Sequence, residues 1–105
     1  MADHVIVTTT TDSEESATAL ATGAVEVNLG ACAQVTGPVT SVFRWEGEVR
    51  TEPEWRVDVK TAADRVSDLT DYLRAKHGYD VPEVIATPIT GGNTEYLAWV
   101  TAETR

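Results

Sequence analysis

The sequence predicts an α+β fold of order βαββαβ with an added C-terminal helix, and three observations carry that prediction. Short strand-like runs stand near both ends, His4 to Thr8 and Glu83 to Ile89. Two stretches repeat apolar residues at helical spacing. Between those stretches lie two long extended segments joined by one turn, the pattern of a hairpin.

The first strand, His4 to Thr8, is a short apolar run suited to the middle of a sheet, ending at Thr9-Thr10-Thr11. Asp12 with Glu15 three places on predicts a capping pair for a helix. Ala17, Leu20, Ala21, Ala24, Val25 and Leu29 then follow the spacing of one buried helical face, closed by Gly30 as C-terminal cap. From Ala33 to Trp45 the chain is extended apart from an interruption at Gly37-Pro38. It turns at Glu46-Gly47, continues through Val49, and from Trp55 to Thr61 alternates Trp55, Val57 and Val59 against Arg56, Asp58 and Lys60. Thr61 and Asp64 predict a second cap, ahead of the stripe Val66, Leu69 and Leu73 that ends at His77-Gly78. Pro82 introduces the last strand, and Pro88 within it marks an edge position. Gly91-Gly92-Asn93 forms a turn and cap for a short helix carrying Tyr96, Leu97 and Val100. With right-handed crossovers this order is the split βαβ, ferredoxin-like sandwich, with helices on one face of an antiparallel sheet.

The hairpin is long for its domain. At ~3.3 Å per residue its first arm reaches roughly 40 Å, while a compact chain of this size has a radius of gyration of only ~13 Å. The arm is therefore expected to overhang, and Phe43, Trp45 and Trp55 are candidate contacts with another subunit, which would cover their apolar area. The 105 residues make one domain, 1–105.

Acids outnumber bases, 17 to 8, for a formal charge of −9. Such a surface repels a phosphate backbone, so nucleic acid is excluded as the main partner. No run approaches the ~20 apolar residues of a membrane span, and the first residues lack the pattern of an export signal. One cysteine makes no internal disulfide, which fits a cytoplasmic setting.

Metal-binding signals are sparse. Cys32, His4 and His77 are the soft or borderline ligands, and none of them sits at zinc-site spacing. Cys32 is either a small buried hydrophobe or a thiolate ligand, and its softness favours monovalent copper or mercury over magnesium or calcium. His77 either caps the second helix through its dipole or joins Tyr79, Asp80 and Glu83 around a cleft. His4 is given no role. A hydrolase would need Cys32 as nucleophile and His77 as base, for which no local signature exists. Gly91-Gly92-Asn93-Thr94 lacks the lysine and spacing of a phosphate loop.

Several separated segments resemble the CutA divalent-cation-tolerance family, in order and nearly end to end. They are Leu29-Gly30-Ala31-Cys32-Ala33, Thr40 to Gly47, Val59-Lys60-Thr61, His77 to Glu83, and Gly92 to Trp99. The resemblance implies a homotrimer of ferredoxin-like subunits resembling PII signalling proteins, which bind ligands between subunits. It implies tolerance of copper and other divalent cations without catalysis. It also implies metal binding at Cys32, with His77 a further candidate, and no essential cofactor. Lys60, Tyr79, Asp80 and Glu83 are the residues expected to contact a small molecule or partner protein in a cleft. Trp45 and Pro82 fall on other characteristic positions. The family loop usually reads His-Pro-Tyr-Glu, whereas this chain has Gly78 and Asp80, so its loop lacks the stiffening of proline.

Overall fold

The computed structural model describes residues 3–105, and the first two residues of the expected domain lie outside them. The elements are β1 (His4–Thr11), α1 (Glu14–Glu26), β2 (Cys32–Trp45), β3 (Glu48–Ala62), α2 (Val66–Lys76), β4 (Ile85–Ile89) and α3 (Thr94–Ala102). Sheet order is β2-β3-β1-β4, antiparallel throughout. The predicted βαββαβ order and its added helix are both present.

β1 is longer than the apolar run predicts. β3 pairs with it as far as Thr11↔Trp55, and the β-branched threonines continue the strand. Thr9 and Thr11 are buried beside Val5 and Val7. The helix cap consequently moves one residue on: Ser13, extended at φ −151°, accepts the Ser16 amide at 3.0 Å, and Asp12 does not cap. At the far end Asn28 takes the left-handed conformation (φ 61°) in place of the expected Gly30. Gly30 serves close packing instead, since a Cβ there would run into the Val59 side chain. Val25, placed on the buried stripe by its spacing, is 38% exposed.

The hairpin is continuous. Glu46 (φ 51°) and Gly47 (φ 80°) form a two-residue turn with both residues left-handed, the geometry that matches strand twist. Gly37-Pro38 falls where the register shifts between Thr36 and Val39, with Gly37 against the Trp55 indole. β3 runs through Pro53 unbroken because β1 pairs only with Trp55 to Ala62. Beyond Trp55, β3 has β2 alone for a neighbour, and the missing Pro53 amide faces an unpaired side.

The second predicted cap does not form. Thr61 is a fully buried strand residue whose hydroxyl has no partner, and a 3₁₀ turn at Ala63–Arg65 leads into α2 without a side-chain cap. β4 begins at Ile85 rather than Glu83 and lies at the sheet edge, where Pro88 is tolerated. Asn93 caps α3 as expected, accepting the Glu95 amide at 2.9 Å.

α1 and α2 cover one face, where Leu20, Ala24, Leu69 and Leu73 pack on Val5, Val7, Val57 and Val59. α3 lies on the other face. Thr101 is 2.8 Å from His4 Nε2, and Tyr96 lies beneath the Lys60 ammonium, both partners belonging to the alternate side of their strands. The last residue, Arg105, donates to both Asp64 oxygens at 2.7 and 2.8 Å and holds that carboxyl below its usual range.

Candidate functional site

The arm of the hairpin beyond the bulge and the 77–83 loop enclose a groove of about 630 Å³. One side comes from the face of the arm that carries Ser41, Phe43, Arg50, Glu52 and Glu54. Facing it are Tyr79, Asp80, Val81 and Glu83, with Thr10 and Asp12 from the end of β1 as the floor.

His77 organises this loop. Its Nδ1 accepts the Tyr79 amide at 3.0 Å, so the ring proton sits on Nε2, which donates to the Thr10 carbonyl at 2.8 Å. The loop is thereby tied to β1, and the His77 and Tyr79 rings lie tilted at 47° with 4.8 Å between centroids. Both ring nitrogens are occupied, so metal coordination by His77 requires one of these bonds to open. The Tyr79 hydroxyl donates to Glu54 at 2.9 Å and links the loop to the hairpin arm. Burial raises the Tyr79 pKa well above its ordinary value. The Glu54 bond and the nearby charges of Glu54, Asp12 and Glu52 raise it further.

Cys32 lies elsewhere. It is half-buried at the start of β2, directly opposite Lys60 in the register. Lys60 donates to Gln34 at 3.1 Å and sits 5.7 Å from the Tyr96 ring centroid. The groove closes on Glu54, six residues from Lys60 along β3, or roughly 20 Å at strand rise. His77 is anchored at Thr10 on β1, one strand nearer β4 than Lys60, and the partner of Thr10, Arg56, is four residues from Lys60 along β3. Within one chain, therefore, Cys32 and His77 do not pair. Among the described residues no three His, Cys, Asp or Glu side chains come close enough to hold a metal ion.

Tyr79, Asp80 and Glu83 are thus brought together, with Phe43 and Trp45, in one groove, whereas Cys32 and Lys60 form a separate cluster. Trp55 packs against Gly37 and the core beside the base of the arm, while Trp45 near its tip is 45% exposed. Glu52, Glu54 and Asp12 were missed by sequence reasoning. A signal was available for two of them: Glu48, Glu52 and Glu54 share one face of a strand, an unusual place for repeated carboxylates.

The description "CutA1 divalent ion tolerance protein" belongs to a family model that matches residues 5–103. The chloroplastic protein CutA of Arabidopsis thaliana is 40% identical over 101 residues, covering 96% of this chain and 56% of the relative. This chain therefore spans little more than half of that plant protein. The divalent-cation tolerance protein CutA of Thermus thermophilus is 40% identical over 99 residues, covering 94% of this chain and 96% of the relative. The crystal structure of CutA1 from Oryza sativa superposes with a TM-score of 0.95 at 38% identity, covering 99% of this chain and 95% of that one.

Proposed function

The chain belongs to the CutA1 divalent ion tolerance family, and from that premise we propose that it acts in divalent-cation tolerance as a cytoplasmic homotrimer. In this proposal it binds soft metal ions, copper foremost, through Cys32 and catalyses no reaction. The observation that carries the proposal is the position of Cys32: the only thiol of the chain, free, half-buried and at the start of an edge strand. A thiolate favours monovalent copper over hard cations. No cluster of ligands surrounds it within the described subunit, so the site is completed by groups from other subunits or by an exogenous thiol.

Trimer formation is supported by the exposed apolar arm, where Val42 is 66% and Val49 62% accessible. The lone thiol suits a reducing compartment. The test is anaerobic calorimetric titration of the reduced, metal-free protein with Cu(I), beside Cys32→Ala. Binding at a fixed ratio per assembly that is lost in the variant is expected. Absent or unchanged binding overturns the metal role of Cys32.

A second reading is a PII-like sensor or adaptor that binds a small molecule or partner protein in clefts between subunits. It is supported by the groove carrying Tyr79, Asp80 and Glu83. Lys60 is remote from that groove within one subunit, so a cleft using all four residues draws them from two. Ligand binding that survives Cys32→Ala and is lost on Lys60→Ala favours this reading.

A further inference from the structure

We propose that Tyr79 is a brace that fixes the angle of the hairpin arm through its hydrogen bond to Glu54, so that the arm meets a second copy of the chain already aligned; the assembly half of this inference rests on the homotrimer proposed above. The arm does not fix its own direction. β1 pairs with β3 only as far as Trp55, so from Glu54 outward the arm is a two-stranded ribbon, the kind of sheet that twists most and is marginally stable alone. None of residues 38–54 is fully buried within the subunit. The register shift between Thr36 and Val39 stands at the base of this ribbon, and such an irregularity bends a strand.

Val39↔Glu54 is the first pair beyond the shift, so the Tyr79 hydroxyl, 2.9 Å from Glu54, takes hold of the arm directly above the bend. Among the described residues no other side-chain hydrogen bond or ion pair joins the arm to the rest of the subunit; the Arg50–Glu48 pair lies within the arm itself. From Glu54 to the turn at Gly47 is seven residues, roughly 23 Å at strand rise, so a rotation of ~10° at the base moves the tip by about 4 Å.

The other end of the brace is held fast. The Tyr79 amide donates to His77 Nδ1 at 3.0 Å, and His77 Nε2 donates to the Thr10 carbonyl at 2.8 Å, on an inner strand of the sheet. The Thr10 hydroxyl donates to Glu83 at 3.5 Å and ties the far end of the loop to the same residue. With Gly78 where a proline would stiffen the loop, these bonds supply the stiffness. Burial and Glu54 keep the phenol protonated, so the donor persists through the neutral range.

The test follows amide hydrogen exchange along the full chain, together with the mass by light scattering on dilution. Tyr79→Phe removes only the hydroxyl, Glu54→Leu removes the acceptor, and Glu54→Gln retains one. Tyr79→Phe and Glu54→Leu should each speed exchange in the arm by about tenfold, the worth of one hydrogen bond to a charged group. Exchange in β1 should stay unchanged, and association should weaken by about tenfold. Combining the two should add nothing further, because both remove the same contact. Glu54→Gln should behave as the parent chain.

Unchanged arm exchange in Tyr79→Phe, equal acceleration in the arm and β1, or additive effects of the two substitutions overturns the brace, and in each case a trimeric mass leaves the homotrimer standing. A mass of one subunit for the parent chain, with arm exchange responding as expected, overturns the homotrimer and the alignment role while supporting the brace within the subunit.

Discussion

Tyr79 makes three contacts: its amide is held by His77, its hydroxyl reaches Glu54 on β3, and its ring lines the groove. Burial and the Glu54 bond both favour the neutral phenol, so its folded pKa lies above the ordinary value of ~10. A group that ionises later in the folded than in the unfolded chain contributes stability that is fully present below the unfolded value. That stability is lost as pH rises through the folded value. Alkaline spectrophotometric titration of the native protein, minus that of Tyr79→Phe, should isolate a phenolate step well above pH ~10. Glu54→Gln should move the step down, and a step already at the ordinary value would show that the contact with Glu54 is not formed in solution.

At the scale of elements, the entry to α1 tests how far local rules govern this chain. Asp12 and Ser13 are both competent caps, and β1 decides between them because its pairing with β3 extends to Thr11. Ser13→Ala should cost about 1 kcal/mol, the usual loss of a side-chain cap, read as a lower denaturation midpoint at unchanged slope. Asp12→Ala should cost distinctly less. If the two costs are reversed, the helix begins one residue earlier than Glu14.

For the molecule as a whole, the radius of gyration is 14.1 Å and the extents are 44 × 25 × 22 Å, larger and longer than the ~13 Å expected of a compact domain of this size. The hairpin arm accounts for the elongation. Light scattering should give three times the 11.3 kDa subunit mass, and a mass of one subunit at micromolar concentration would refute the proposed trimer. Each subunit contributes a formal −9, and bringing three together costs electrostatic repulsion that salt screens. Added salt should therefore raise the thermal midpoint of the assembly, and a fall would mean that attractive ion pairs dominate the interface.

Much of this protein is legible in its residues because the signals concerned are local. Apolar spacing at Leu69 and Leu73, alternation at Val57 and Val59, and Glu46-Gly47 at the turn determine the element types without knowledge of neighbours. The family likewise follows from ordered segments such as His77 to Glu83. Boundaries and partners are a different matter. Thr9 to Thr11 is strand because β3 offers it a ladder, and Thr61 is buried within β3 rather than a cap because β1 pairs with it. Gly30 is required by the approach of Val59, twenty-nine residues away along the chain but in contact in space. The site shows the division most clearly: the sequence determined that His77, Tyr79, Asp80 and Glu83 share one loop, and only the tertiary structure decided that they face Glu52 and Glu54 and stand apart from Cys32. Sequence proximity fixes neighbours within a loop, whereas contact between a loop and a hairpin arm depends on the twist and register of the sheet between them.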